Sequence, residues 1–187
     1  MTEELFTEFS ASRTPGPKDF PAGKMFILIQ DPFGFWCSFH VSKNEAVEEP
    51  NLYEHLRGKT DRNNRDHWIY EHCKTVTAIS GGNETEKFKK TLEAMARGDD
   101  GIIGAVLLDL RKEDGVYGSV NLLFKVNEGK SVFGDYHYKI VQLKRAGELK
   151  EHYAMQTSLM NKILADVQGC NPGSALFILK SKDQELD

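Results

Sequence analysis

Hydrophobic and polar positions along the chain alternate with two different periods, and the periods divide it into elements. Beyond residue 23, Met25-Phe26-Ile27-Leu28-Ile29 is an unbroken apolar run, and Asp31-Pro32-Phe33-Gly34 supplies turn chemistry. The next run places Phe35, Cys37, Phe39 and Val41 on one face, so a β-hairpin is expected here. Glu45 to Glu49 reads as an acidic linker closed by Pro50, and Asn51 with Glu54 has the form of a cap opening a short helix from Leu52 to about Arg57. After the polar stretch Lys59 to Asp66, Trp68-Ile69-Tyr70 and Thr75 to Ile79 are rich in β-favouring residues and predict two strands that stop at Gly81-Gly82.

The period then changes to that of a helix. Asn83 and Glu86 repeat the capping pattern, Phe88, Leu92 and Met95 form one stripe, and Gly98 can end the element. Ile102 to Leu108 is apolar on both faces and predicts a central strand, after which Asp114-Gly115 turns the chain. Val116 to Val126 and Ser131 to Leu143, joined by Asn127-Glu128-Gly129, predict two more strands of an antiparallel meander. Leu149, Tyr153, Met160, Leu164 and Val167 trace a long helix over 148–168 that stops at Gly169, and Ala175 to Leu179 predicts a last buried strand. The acidic end, Asp183 to Asp187, is expected to fray.

Together these elements predict an α+β fold, a predominantly antiparallel mixed sheet with helices packed on it and an N-terminal hairpin added. Three prolines, Pro15, Pro17 and Pro21, make residues 1–23 a flexible arm; residues 24–50 are the hairpin and acidic linker, and residues 51–187 the α/β binding domain. A length of 187 residues suits one well-buried core, and a 40% hydrophobic, 28% charged composition is that of a folding chain.

Charge narrows the function. The formal net charge of -4 gives no overall attraction to nucleic acid or to an anionic membrane, and no apolar stretch approaches the roughly 18 residues of a membrane span. The acidic start, Met1-Thr2-Glu3-Glu4, is unlike a presequence, and three cysteines without repeated spacing suit reduced thiols, so the cytoplasm is the expected location.

Four constellations bear on chemistry. Cys37, His40, His67, His72 and Cys73 carry zinc-ligand side chains, but on a strand His67 and His72 would face opposite ways. Glu128-Gly129-Lys130-Ser131 has the tail of a phosphate-binding loop, yet Phe124 stands where its first glycine belongs and a strand follows where a helix is needed. Neither the cysteines nor the six histidines lie in a nucleophile motif, and the paired carboxylates Asp99-Asp100 and Glu113-Asp114 read as turn residues. Lys139, Lys144, Arg145 and Lys150, by contrast, gather around the start of the long helix as a candidate docking patch for an acidic partner. No cofactor is expected, and a small metal enzyme built on the Cys/His set is the alternative from another class. An adaptor binding through Phe33, Phe35 and Trp36 is a third reading.

From Asn51 onward, the element order and the segments Trp68-Ile69-Tyr70, Glu86 to Ala96, Asp99 to Leu108, Ser119 to Gly129, Leu143 to Gly147 and Ala175 to Leu179 resemble the actin-depolymerising-factor homology family, in its coactosin-like and drebrin-like branch. The resemblance implies a non-enzymatic actin binder whose long helix docks against actin, with Lys144, Arg145 and Lys150 meeting acidic surface. Residues 1–50 lie outside that pattern, residues 130–143 are longer than it, and no terminal helix follows Lys180.

Overall fold

A computed structural model describes residues 19–33, 35–36, 66–109, 115–144, 146–179 and 183–186. Four helices are followed below: α1 (Met25–Gln30), α2 (residues 66–72), α3 (Glu84–Arg97) and α4 (Glu151–Gln168). The strands are β1 (Phe20–Pro21), β2 (Val76–Ala78), β3 (Gly101–Ile103), β4 (Val106–Leu108), β5 (Val116–Ser119), β6 (Leu122–Val126), β7 (His137–Lys144), β8 (Ala175–Leu179) and β9 (Asp183–Leu186). The fold is α+β. A six-stranded sheet runs β2-β3-β6-β7-β8-β9, and a three-stranded sheet runs β1-β5-β4. Antiparallel pairing predominates, with parallel pairs at β1/β5, β2/β3 and β7/β8.

Two of those parallel pairs follow from helical crossovers, β2-α3-β3 and β7-α4-β8, because parallel neighbours need a long connection. The capping box at Asn83 forms as its spacing predicts: its side chain accepts from the Glu86 amide at 2.9 Å while Glu86 accepts from the Asn83 amide at 3.1 Å. Gly98 and Gly169 close α3 and α4 in the left-handed conformation, with φ of 75° and 69°. Phe88, Leu92 and Met95 of α3 and Met160, Leu164 and Val167 of α4 bury against Ile102, Leu123, Tyr138 and Ile140 of the sheet. The opposite face holds a smaller cluster, with Ile69 of α2 against Leu122 and Val141.

Several sequence expectations are corrected. Met25–Gln30 is helical, and so are residues 32–33 and 35–36, so no hairpin forms across residues 25–36; the second half of that run lies outside the described residues. A short run apolar at every position has no period to separate helix from strand, and packing decided: Ala22 and Met25 are buried three residues apart. Residues 19–23 are also not loose, since the Phe20 amide donates to Gly115 O at 2.9 Å and Asp19 Oδ1 accepts from the Gly115 amide at 2.9 Å. Residues 1–18, the acidic linker and the helix expected from Leu52 lie outside the described residues.

Trp68-Ile69-Tyr70 belongs to helix α2, where the four-residue spacing lets Trp68 stack on His72 with centroids 4.2 Å apart. The predicted strands 102–108 and 116–126 each break in two. Gly104 takes φ 65°, yet the ladder continues through the break, with Gly104 donating to Asn121 O at 3.1 Å and Val120 donating to Ala105 O at 2.9 Å. One long hairpin is thereby bent so that its inner half joins the six-stranded sheet and its outer half the smaller one. Only His137–Lys144 of the expected strand 131–143 is extended, and the tail expected to fray includes β9, paired antiparallel to β8.

Candidate functional site

A dense group of ionisable side chains lies where α3 ends against β2, β3, β6 and β7. The two carboxylates that follow Gly98 diverge. Asp99 Oδ2 accepts from Thr77 Oγ1 at 2.6 Å and from Arg97 Nη2 at 2.7 Å. Asp100 Oδ1 pairs with Lys125 Nζ at 2.7 Å, and its Oδ2 accepts from the Lys74 and Thr75 amides at 3.1 Å each. Lys125 also donates to Gly98 O at 2.7 Å, placing a cation at the negative end of the α3 dipole. Tyr136 donates to Met95 O and Tyr138 to Asp99 O, both at 2.8 Å.

Electrostatics follow from these contacts. The Lys125 hydrogen bond, opposed by burial and aided by the Thr75 and Lys74 amides, holds the Asp100 carboxyl down at about 2. Burial pushes Asp99 up, but the bonds from Arg97 and Thr77 outweigh it and leave the carboxyl below its usual range. Burial, then the Asp100 charge, pushes the Cys73 thiol up to about 11. Carboxylates so firmly ionised are poorly matched to proton transfer near neutral pH, and a thiol so firmly protonated is a weak nucleophile. Each strong group here is turned toward another, which fits a fastening of the α3 end better than a reaction site.

The sequence-derived metal set does not assemble among the described residues. His67 and Glu71 pair at 3.5 Å on the exposed side of α2, whereas the His72 ring lies on Trp68 with Nδ1 2.8 Å from Trp68 O. On a helix, residues five apart diverge by about 140°. Cys73 meets the backbone at Gly101 instead: a Cβ there would lie 2.9 Å from its sulfur. Cys37 and His40 lie outside the described residues, and among the described ones no three His, Cys, Asp or Glu side chains are placed to hold a metal ion. Gly129, with φ 78°, sits in the β6-β7 turn. No helix follows to cradle a phosphate.

The remaining candidate is the outer face of α4. One side of this helix buries Thr157, Met160, Ile163, Leu164 and Val167, and the other exposes Glu151, Met155, Ser158 and Lys162 at intervals of four, three and four residues. Met155 is 49% exposed, an apolar side chain set in the polar face. At the start of the helix, Lys144 Nζ lies 4.6 Å from the centroid of the Tyr153 ring and Lys150 occupies the exposed cap position. Buried His152 has its pKa lowered by burial first and then by Lys150 and Lys144, which places both cations near it. No protein-family model matches this chain, and no curated protein matches it.

The predicted basic patch is therefore divided. Lys144 and Lys150 stay together, while Lys139 is five residues from Lys144 on the same strand, so it faces the other side of the sheet, where its Nζ donates to Ser174 Oγ at 3.1 Å. Arg145 lies outside the described residues. Glu148 and Glu151, both exposed, flank Lys150 in sequence and reduce the local positive charge. Met155 is not among the residues that the sequence pattern singles out. Its signal was its position off the apolar stripe of α4.

Proposed function

We propose that this chain is a non-enzymatic protein-binding module of the cytosol that docks through the exposed face of α4, with actin as the partner implied by the family resemblance. The observation that carries the reading is Met155, 49% exposed in a polar helix face whose first turn is bordered by Lys144 and Lys150. An exposed apolar anchor with peripheral charge is the common form of a docking surface. The saturated contacts at the end of α3 support it from the other side, since they leave no group there poised for catalysis.

Co-sedimentation with filamentous actin at low and moderate salt, paired with a monomer polymerisation assay, tests the proposal. Binding should be seen and should weaken, by no more than about tenfold, when Lys144 and Lys150 are both replaced by Glu, exposed ion pairs being worth about 0–1 kcal/mol each. No pelleting and no effect on polymerisation would sink actin as the partner; binding indifferent to α4 substitutions would sink the surface.

An adaptor reading has its own support in Phe33 and Trp36, which are 74% and 52% exposed and stack with centroids 6.3 Å apart. Replacing both by Ser should abolish partner capture while leaving stability within about 0.5 kcal/mol. Retained capture excludes this reading.

A further inference from the structure

α4 begins with less fastening than α3. Asn83 closes the first turn of α3 with a capping box, whereas the cap position of α4 is held by Lys150, which makes no side-chain cap bond. The first turn of α4 is secured instead through one carbonyl, with the Tyr153 and Ala154 amides donating to Lys150 O at 2.9 and 3.2 Å. A buried histidine sits in that turn. His152 is 8% exposed, and its ring meets the Tyr153 ring edge-on with centroids 4.2 Å apart, while Lys144 Nζ stands over the same tyrosine.

This setting accepts the neutral imidazole and resists the charged one. Burial opposes the proton most, and the charges of Lys150 and Lys144 follow. The positive end of the α4 dipole acts in the same direction. Among the described residues, the elements packed against α4 bring no anion to offset them: α1 and β4 have no titratable side chain, the short turn Ala22–Lys24 brings Lys24, and β5 brings Tyr117. Of the titratable groups of β7, Lys144 faces the turn, and His137, Tyr138 and Lys139 are bonded to Glu128 O, Asp99 O and Ser174 Oγ. The bordering carboxylates, Asp31 after α1 and Glu148 and Glu151 beside Lys150, are exposed to solvent, which screens them.

We infer that the first turn of α4 is an acid-operated latch, closed over neutral His152 and opened when that ring takes a proton. Opening parts Tyr153 from Lys144 and loosens the helix toward Met155, three residues beyond His152, so the docking face loses its order in acid. That consequence rests on the docking reading; the latch does not. The sign is that of a histidine favoured in its neutral form: the closed turn is at full strength above the open-state value of 6.5, and the opening equilibrium rises by at most tenfold per pH unit below it.

Amide hydrogen exchange of the full chain, read by NMR as protection relative to the intrinsic rate, tests the latch with no partner present, so its outcome is separate from that of the docking assays. Between pH 7 and pH 5, protection at Tyr153 and Ala154 should fall by about five- to thirtyfold while the α3 amides keep theirs. His152→Gln should hold that protection constant. In the wild type the fall should follow the ring titration of His152 itself, which keeps the test decisive where His152→Gln does not fold. Lys150→Gln, at the exposed cap, should move that titration to higher pH. Protection that changes less than about twofold, an equal fall in His152→Gln, an equal fall across α3, or a titration unmoved by Lys150→Gln would overturn the latch.

Discussion

Replacing Asp100 by Asn separates charge from shape at the end of α3. In the wild type one oxygen faces Lys125 Nζ at 2.7 Å and the other accepts two backbone amides at 3.1 Å. An Asn keeps one oxygen for those amides and then presents its NH2 group to the ammonium, so the ion pair is lost and donor meets donor. The carboxyl is held at about 2 against an ordinary 3.8, a difference worth about 2 kcal/mol at ~1.4 kcal/mol per unit. With 21% of the Asp100 side chain exposed, solvent screening reduces this to about 1–2 kcal/mol. The sign is that of a depressed carboxyl: the stabilisation is complete above the unfolded value of 3.8 and is lost as pH falls through the folded value of about 2. Urea denaturation at pH 7, 5 and 3 should therefore show wild type exceeding D100N by about 1–2 kcal/mol at the two higher values and by roughly half of that at pH 3. Lys125→Met should narrow the gap between Asp and Asn at position 100. A gap that is absent at pH 7, or that stays constant down to pH 3, would refute the account of this cluster as an electrostatic fastening.

Two further substitutions probe the packing. In Gly101→Ala the new Cβ would lie 2.9 Å from Cys73 Sγ and 3.3 Å from Leu122 Cδ1, so a loss of about 1–3 kcal/mol is expected on denaturation. Cys73→Ala in the same chain should recover part of that loss, and strict additivity of the two changes would remove the contact as its cause. Gln168→Met keeps the volume but strips both partners from Tyr138, whose amide donates to Gln168 Oε1 at 2.8 Å and whose carbonyl accepts from Nε2 at 3.2 Å. Two buried backbone groups left unpaired should cost about 2–5 kcal/mol in a denaturant titration, and a change below about 1 kcal/mol would mean that the strand has found other partners.

What could be read from the sequence was what carries a local signature. α3 and α4 were visible through caps, stripes and terminal glycines, and β8 through its apolar run. The misread elements are those whose conformation is set by distant chain. α1 and α2 are short, and their apolar or aromatic residues lack a decisive period; α2 becomes helical where Trp68 meets Phe124 edge-on at 5.2 Å. β9 has the polar sequence Asp-Gln-Glu-Leu and owes its pairing to the exposed edge of β8. The two-sheet arrangement turns on Gly104, a single residue inside an otherwise uniform apolar run. The site was legible in the same measure. The lysines were visible as charges, and strand alternation alone could have separated Lys139 from Lys144. The partnership of Asp100 with Lys125 joins residues 25 positions apart and left no local trace.

The separation of the lysines changes the physics of the proposed docking face. With Lys139 on the other side of the sheet, and with Glu148 and Glu151 offsetting Lys144 and Lys150, the described charges at the start of α4 balance and do not steer an acidic partner from a distance. Lys144 is further engaged with the Tyr153 ring at 4.6 Å, and drawing it into a new ion pair would weaken that contact. Affinity at this surface must then come mainly from short-range burial, and Met155 is the side chain placed to supply it. On the molecule's own geometry, Met155→Ala should reduce binding more than Lys150→Glu, and raising salt across the physiological range should change affinity only a few-fold. A steep salt dependence with an indifferent Met155 would return the interaction to the basic cluster that the sequence first suggested.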